Sequence, residues 1–414
     1  MKLSLKYIYL LPMLLVMLNN ETVLALAGLS EGQVSKPSGV FVVAATFLFL
    51  REFSPFMKKW LIIVTIYLLI LMLESYHDYH TFFKYPHVFL KIFDIYLLFF
   101  IYSFYKKHLD KVPFVLHFTV WLILIIYIVA AFTIRREVFS MSAFTNNKRG
   151  FNSAEIYIFI ICLTYFFNLY FYKKNFINII LFFVVFSLII FSQQKTVWTC
   201  AAFSQILNIL FIRRSNFKID FAAIAPVLLM IGIVAFIVSS VILTNEEIRA
   251  TFEKRIKAFT EVENDEEGGT AAWRRRQWEA YLPIVEQNIL TGLRLKGFEL
   301  PGQFDAFTAE NTGHHFHSYY LDKLFYFGIF GLFSGVVLIS FYTLKLIFFV
   351  RKFITLEQIV LASYMMTFAV YSIGYDIPFA IYGLIGLGFA YLEKDYTDTD
   401  KKRKVTEKSI AISQ

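Results

Sequence analysis

Residues 112–134 read VPFVLHFTVWLILIIYIVAAFTI, an apolar run without Asp, Glu, Lys or Arg. About 20 such residues are enough to cross the hydrocarbon core of a bilayer as an α-helix, which satisfies its own backbone polar groups. The whole chain is 58% hydrophobic and 17% charged, with a mean hydropathy of +0.59. A soluble fold could not bury so much apolar surface. The sequence therefore predicts an all-α membrane protein.

Apolar runs of similar length recur along the chain and predict a bundle of about twelve transmembrane helices. Lys2 and Lys6 before the first run and Ala25-Leu26-Ala27 after it imitate a signal peptide. Glu21 and the spans that follow favour an uncleaved first helix. The predicted spans lie near residues 7–25, 38–55, 59–75, 88–105, 112–134, 154–172, 175–192, 196–212, 221–243, 319–350, 356–372 and 374–393.

Short basic clusters fall at every second connection between these spans. Cytoplasmic loops are the ones enriched in Lys and Arg, so the clusters predict that both termini are cytoplasmic. This distribution also explains the net charge of +9 without a nucleic acid as partner. The clusters are Lys2/Lys6, Lys58-Lys59, Lys106-Lys107, Lys173-Lys174, Arg213-Arg214, Arg351-Lys352 and the tail Lys401-Lys402-Arg403-Lys404.

The same alternation divides the chain into four regions. Residues 1–243 carry transmembrane helices 1–9, residues 244–318 form a large extracytoplasmic loop, residues 319–393 carry helices 10–12, and residues 394–414 form a cytoplasmic tail. The other connections predicted to be extracytoplasmic are 26–37, 74–87, 135–153, 193–196 and a short turn near 373.

The loop 244–318 is a polar island in an apolar chain. It contains 13 acidic and 9 basic side chains, a formal charge of −4, so its positive charge is local. That positive charge is concentrated in Arg274-Arg275-Arg276, which opens a predicted helix, and the loop ends in His314-His315-Phe316-His317. We expect the aqueous chemistry of the protein to lie here.

Several short motifs in and after this loop resemble the O-antigen ligase and polymerase superfamily. The motifs are Arg274-x-x-x-Trp278-Glu279, Thr291-Gly292, His317-Ser318-x-x-Leu321 and Gly328-x-x-Gly331. Arg149-Gly150-Phe151-Asn152 is similar to the Arg…Gly…Asn segment of that family. Gln194-Lys195-Thr196 stands where the family carries a Ser/Thr-Arg pair. Lys195 keeps the charge of that Arg but loses its bidentate phosphate geometry.

The resemblance implies a bacterial inner-membrane glycosyltransferase with a GT-C-like fold and a periplasmic or extracellular loop. Such an enzyme transfers a glycan from undecaprenyl pyrophosphate to a sugar hydroxyl of a glycan or a lipid A core, without metal or cofactor. It implies His317 and Arg274 as catalytic residues and Arg149, Arg275 and Lys195 as ligands of the donor pyrophosphate. Arginine stabilises a departing pyrophosphate, and histidine accepts a hydroxyl proton near neutral pH.

Other interpretations remain open at this point. The Arg triplet suits a helix turn that faces lipid headgroups, and the His cluster suits zinc if other ligands join it. A twelve-helix transporter or lipid-glycan flippase is the main alternative function, but it would carry charges inside its spans, and the middle of these spans looks nearly free of charge. The acidic balance of the loop favours a growing glycan as acceptor, and hence a polymerase, over a phosphate-rich lipid A core and a ligase.

Overall fold

The computed structural model describes residues 5–136, 150–192, 194–215, 219, 221–246, 248–250, 253, 270–300, 314, 316–349 and 354–394. In these residues the chain is built from helices, which we number in chain order. They are α1 Leu11–Leu18, α2 Glu21–Ala27, α3 Glu31–Leu48, α4 Pro55–Tyr79, α5 Pro86–Lys107, α6 Val112–Thr133, α7 Ser153–Lys173, α8 Phe176–Phe191, α9 Lys195–Ile212, α10 Phe221–Thr244, α11 Thr270–Gln287, α12 Lys296–Glu299, α13 Tyr319–Leu332, α14 Leu338–Leu344, α15 Leu356–Met366, α16 Phe368–Gly374 and α17 Phe379–Leu392.

Seven helical segments of the described chain are long and apolar enough to cross a membrane. An eighth crossing results if the bent pair Tyr7–Leu18 and Glu21–Ala27 counts as one span. Each predicted span overlaps one of these segments or one of the shorter apolar helices, and the predicted fold class, an all-α polytopic membrane protein, is confirmed. The shorter apolar helices are Pro37–Leu48, Phe176–Phe191, Ala222–Ile233 and Phe379–Leu392.

The first predicted span is not one straight helix but turns by 94° between α1 and α2. Asn19 and Asn20 lie at the bend, and the Asn20 side chain accepts a hydrogen bond from the backbone N–H of Thr22 at 3.0 Å. An asparagine in this position caps a new helix start, because it replaces a missing intrahelical acceptor. The predicted span 7–25 is one continuous helix, so this cap is a difference between prediction and structure.

The centre of the bundle is the contact between α5 and α17. Almost every residue of α17 is buried, and its small residues allow close helix approach: a β-carbon on Gly386 would lie 2.5 Å from the carbonyl oxygen of Leu98. Small residues at such contacts are typical of membrane bundles, where packing rather than hydrophobic burial drives association. The turn before α17, residues 375–378, is therefore held firmly against the core.

The span that begins with α13 is broken at Gly328, which has φ +61° and ψ −153°. The break frees the carbonyls of Phe325 and Tyr326, and these accept hydrogen bonds of 2.8 Å from the backbone N–H groups of Leu293 and Arg294. Gly292 also has a positive φ, and a β-carbon on it would lie 2.5 Å from the Gly328 nitrogen. The glycines of the two family-like motifs thus let the segment around Gly292 dock on a broken membrane helix.

At the other end of the bundle, Glu393 connects three helices with α17, which it follows. Its carboxylate accepts hydrogen bonds from Ser54 at 2.9 Å, from Tyr102 at 2.6 Å and from the Tyr342 hydroxyl. It also pairs with Lys106, whose Nζ lies 2.8 Å from Oε2. We call these five residues the Glu393 clasp. The clasp lies at the end that carries the connections predicted to be cytoplasmic.

Candidate active site

The connections predicted to be extracytoplasmic meet at the end opposite the Glu393 clasp. Residues 270–300 rest on the connection between α4 and α5, where Arg294 pairs with Glu74 at 2.6 Å. Tyr85 donates a hydrogen bond of 2.6 Å to Glu299. Desolvation and that hydrogen bond raise the pKa of Tyr85 to about 12, so its hydroxyl remains a donor in the physiological pH range. The loop is therefore fixed to the bundle by ionic contacts as well as by the docking at Gly328.

Arg274 lies on α11 with its guanidinium over the ring of Tyr375, 4.7 Å from the ring centroid. Gly374 gives this group room, because a β-carbon there would lie 3.3 Å from Nη1 of Arg274 and 3.2 Å from the hydroxyl of Thr196. The Nε of Arg274 is buried and has no hydrogen-bond partner among the described residues. An unsatisfied buried donor is costly, and a guanidinium donates readily to phosphate oxygens. Arg274 is therefore positioned with a donor available to an anion.

Tyr375 joins Arg274 to the segment before α9. Its hydroxyl donates a hydrogen bond of 3.0 Å to the side-chain oxygen of Gln194, which is buried. The side-chain amide of Gln194 is directed at the carbonyl of Phe151, at 3.5 Å. Three segments that the sequence analysis singled out, around 151, 194 and 274, thus converge on one tyrosine. The aromatic ring that connects them was not part of the predicted site.

Two of the three predicted pyrophosphate ligands, Lys195 and Arg149, adjoin the segments around 194 and 151 in the sequence. Lys195 is the first residue of α9, next to Gln194, with an exposed side chain. Arg149 lies outside the described residues, although Gly150 and Phe151, which follow it, are described. The structure therefore puts Lys195 beside the Arg274 region and leaves Arg149 as a prediction from the sequence.

His317 contacts the same helix as Arg274. Its ring lies 4.7 Å from the ring of Trp273, centroid to centroid, and its backbone N–H donates to the side-chain oxygen of Gln277 at 3.4 Å. The imidazole is exposed. Trp273 and Gln277 are one helical turn apart, so they form one face of α11 beside Arg274. The two predicted catalytic residues are thus brought to the same helix.

His314 is a structural residue. Its Nδ1 lies 2.8 Å from the Tyr281 hydroxyl and its Nε2 lies 2.8 Å from the carbonyl oxygen of Leu300, so both ring nitrogens already have protein partners. Since zinc needs a free imidazole nitrogen, His314 is a poor ligand for it. His315 lies outside the described residues.

Arg275, the third predicted pyrophosphate ligand, forms an exposed ion pair with Glu279, with Nε 3.0 Å from Oε1. The two residues are one turn apart on α11, and both side chains are 60% exposed. Such pairs are worth little, typically up to about 0.5 kcal/mol, and exchange readily with other partners. This ion pair does not bring Arg275 to the Tyr375 ring that Arg274 contacts. It is also weak enough for Arg275 to turn toward an anion.

A buried ion pair between Lys91 of α5 and Asp322 of α13 lies below His317. Their side chains are 9% and 1% exposed, and Nζ lies 2.6 Å from Oδ1. Lys323 donates to the carbonyl of Lys91 at 3.0 Å. The second oxygen of Asp322, Oδ2, is buried without a partner in the described part of the chain. The pair fixes the first turn of α13, which directly follows His317 and Ser318, to the central helix α5.

The charged side chains around this ion pair lie inside two predicted spans, toward one end of each, and not in the middle, which was expected to be nearly free of charge. Lys91 and Asp94 lie in the predicted span 88–105, and Asp322 and Lys323 lie at the start of the span 319–350. The sequence signal was present, since charges inside a span are costly unless they are paired or functional. All four lie in the half of their helices nearest His317, so the expected concentration of polar residues at one end still holds.

Asp376 extends this charged cluster to the turn that carries Tyr375. Its carboxylate accepts the backbone N–H of Ile377 at 2.8 Å. The Asp376 side chain is accessible to solvent. Desolvation by the surrounding protein raises the pKa of its carboxyl, whereas the positive charge of Lys91 acts in the opposite direction and lowers that pKa. Asp376 is therefore within electrostatic reach of the Lys91–Asp322 pair.

Residues 180–336 match the O-antigen ligase family. The match contains Lys195, Arg274 and His317, and it confirms the resemblance to the O-antigen ligase and polymerase superfamily. It supports a general role of this membrane protein in surface-polysaccharide assembly, with a polyprenyl-linked glycan donor. No curated protein matches the chain.

Proposed function

We propose that the protein transfers a glycan from an undecaprenyl-pyrophosphate donor to a sugar hydroxyl at the outer face of the bacterial inner membrane. The observation that carries the proposal is the half-buried guanidinium of Arg274, whose Nε has no partner among the described residues, on the same helix that contacts His317. A phosphate-binding group and a general base on neighbouring positions fit a glycosyl transfer that releases a pyrophosphate.

In the proposed reaction, Arg274 donates hydrogen bonds to the pyrophosphate, with Lys195, Arg149 and Arg275 as further cationic ligands. His317 accepts the proton of the acceptor hydroxyl. At the same time, the oxygen of that hydroxyl forms the new bond to the anomeric carbon of the donor. The bond from that carbon to the phosphate oxygen breaks, and undecaprenyl pyrophosphate leaves with the electron pair. The guanidinium stabilises the charge that grows on the leaving group, so the protein residues alone supply the catalysis.

The buried Lys91–Asp322 ion pair supports this mechanism because it helps to position His317. Because it fixes the first turn of α13 to α5, it limits the movement of His317 relative to the bundle. A general base must stay within hydrogen-bond reach of its proton, so a fixed helix start favours catalysis.

The acceptor is proposed to be a growing glycan, which would make the protein a polymerase of repeat units. The formal charge of −4 on residues 244–318 supports this choice, since a phosphate-rich lipid A core favours a basic surface. In a deletion strain, single repeat units attached to the final acceptor would indicate a polymerase. Full polymer that accumulates on the lipid carrier would indicate a ligase.

Charged residues inside the spans are the observation in favour of the alternative, a twelve-helix transporter or lipid-glycan flippase. Lys91, Asp94, Asp322 and Lys323 lie together in the halves of α5 and α13 nearest the connections predicted to be extracytoplasmic, rather than along a path through the bundle. This clustering favours chemistry at one surface. Loss of a flippase would leave lipid-linked repeat units on the cytoplasmic face, whereas loss of a transferase would leave them on the outer face.

The test is transfer by the purified protein in proteoliposomes that contain the lipid-linked glycan. Arg274→Ala and His317→Ala are each expected to reduce the transfer rate by about 100-fold or more, the usual effect of removing a charge-stabilising donor or a general base. Arg276→Ala is the matched control, because Arg276 is an exposed neighbour on the same helix. Transfer at the wild-type rate by both single variants would exclude this assignment.

A further inference from the structure

A polar cleft with a volume of about 280 Å³ opens next to Gln194, which accepts a hydrogen bond from Tyr375. It lies between the start of α2, the end of α6 and the start of α7. This volume lies just under the roughly 300 Å³ at which pockets for drug-sized ligands begin, so the cleft suits a smaller polar group. Its lining residues are Glu21, Arg135, Phe151, Asn152, Ser153 and Gln194.

Hydrogen bonds between the ends of α2, α6 and α7 hold the walls of the cleft in place. Asn152 and Glu155 form a capping box at the start of α7, with two hydrogen bonds of 2.8 Å. The buried carboxylate of Glu155 also accepts the hydroxyl of Thr22, which ties α7 to α2. Asn20 donates to the Tyr127 hydroxyl of α6 at 3.0 Å. The three helix ends are therefore fixed relative to one another, and the cleft is preformed.

The chemistry of the lining favours a neutral ligand that carries hydroxyl groups. Glu21 offers a carboxylate and Arg135 a guanidinium, and these two groups lie 3.9 Å apart. A free anion would meet the charge of Glu21, and a free cation would meet that of Arg135. The side chain of Asn152 already donates to Glu21, and that of Gln194 accepts from Tyr375, so each amide offers a ligand its second N–H. The hydroxyl of Ser153, which accepts from Tyr371, adds one more donor. Such a mixed set matches a sugar, whose hydroxyl groups donate and accept at the same time.

Gln194 connects the cleft to the Arg274 region. It lines the cleft, and its side-chain oxygen accepts the hydroxyl of Tyr375, the residue whose ring lies under Arg274. His317 contacts α11 through Trp273 and Gln277 rather than through Tyr375. The cleft is thus connected to the pyrophosphate side of the proposed site and not to the residue that would activate the acceptor.

We propose that this cleft binds a sugar residue of the lipid-linked donor glycan. The inference rests on the proposed function and adds to it a site that selects the donor by its sugar. Undecaprenyl pyrophosphate alone would bind through Arg274 and leave the cleft empty. The complete donor would fill both, so the cleft contributes to affinity only when the sugar is present.

The experiment compares two ligands on wild-type protein and on Arg135→Ala and Glu21→Ala, in the full-length chain in proteoliposomes. The KM for the lipid-linked glycan is expected to rise about tenfold in each variant, as for the loss of a charge-assisted hydrogen bond. Inhibition by undecaprenyl pyrophosphate without sugar is expected to keep its wild-type potency, which also shows that each variant is folded. Arg136→Ala is the control, since Arg136 adjoins Arg135 but does not line the cleft.

Each other result overturns the proposal in a distinct way. An unchanged KM for the donor would show that the cleft does not hold its sugar. An equal loss of both ligands would assign the residues to pyrophosphate binding, and a rise in the KM of the acceptor alone would assign the cleft to the acceptor. If the wild-type protein transferred no glycan, the proposed function itself would fail, and the cleft proposal would fail with it.

Discussion

The Glu393 clasp and the polar cluster around Arg274 satisfy their polar groups differently. In the Glu393 clasp, both carboxylate oxygens accept hydrogen bonds, and a lysine neutralises the charge. In the cluster formed by Arg274 and the first turn of α13, by contrast, the buried atoms without a hydrogen-bond partner among the described residues include Nε of Arg274, Oγ of Ser318 and Oδ2 of Asp322. Both bring polar side chains of several helices together, so the difference lies in completeness and not in composition.

Completed polar networks stabilise a fold, whereas incomplete ones cost free energy that only a ligand or a reaction can offset. The comparison therefore predicts that mutations in the clasp act on stability and leave activity per folded molecule intact. Mutations of the unsatisfied groups near Arg274 are expected to do the reverse. The Lys91–Asp322 pair is intermediate, since it holds the site in position and keeps one free carboxylate oxygen.

The largest expected effect on stability is that of Lys91→Met. This change leaves the Asp322 carboxylate buried without its ion-pair partner, and the removal of one member of a buried pair costs about 3–5 kcal/mol. Thermal unfolding in lipid nanodiscs measures the loss. Lys84→Met, a change at an exposed lysine just before α5, is the control and is expected to have a small effect.

The double variant Lys91→Met/Asp322→Leu distinguishes a charge effect from a packing effect. If the buried charge is the cause, the double variant recovers most of the stability that the single variant loses. It should still transfer glycan slowly, because the first turn of α13 has lost its ionic link to α5. Wild-type stability in the single variant would show that the ion pair does not stabilise the protein. Its intermediate position between the clasp and the groups near Arg274 would then be wrong.

Glu393→Gln is expected to have a smaller effect, a loss of about 1–3 kcal/mol of stability. The amide cannot pair with Lys106, and its NH₂ group faces hydroxyls that donate to the carboxylate in the wild type. The rate of transfer per folded molecule is expected to remain that of the wild type. Asp110→Asn is the control at the same end, since the Asp110 side chain is 69% exposed. A Glu393→Gln variant that kept its stability but lost activity would contradict the assignment of the clasp.

The sequence predicted much of this arrangement, and its failures have a common cause. Each predicted span overlaps an apolar helix of the described residues, because hydrophobic length is a local property. The Arg274 and His317 motifs predicted two residues that contact or belong to one helix. The bend at Asn20, the break at Gly328 and the pairing of Lys91 with Asp322 were missed. The last two depend on residues far apart in the chain, and the first was hidden within an apolar run.

The role of Tyr375 shows the same limit. Nothing in the local sequence links it to Arg274 or Gln194, which are about 100 and 180 residues away. Only the packing of α16 against α9 and α11 brings the ring under the guanidinium. By contrast, the glycines of Thr291-Gly292 and Gly328-x-x-Gly331 were visible in the sequence, although their purpose, a loop docked on a broken helix, was not.

The smallest expected effect on stability, and the sharpest test of the comparison, is that of Arg274→Met. The change removes the cation–π contact with Tyr375, worth about 0.5–1 kcal/mol at an accessible site, and also removes a buried donor without a partner, which costs about 1–3 kcal/mol. The two effects oppose each other and the second is at least as large as the first, so the free energy of unfolding is not expected to fall. Glycan transfer, in contrast, is expected to fall about 100-fold or more. Thermal unfolding and transfer assays on one preparation measure both quantities, with Arg276→Met as the matched control. A loss of stability as large as that of Glu393→Gln would show that Arg274 is a structural residue, and the difference between the clasp and the cluster around Arg274 would disappear.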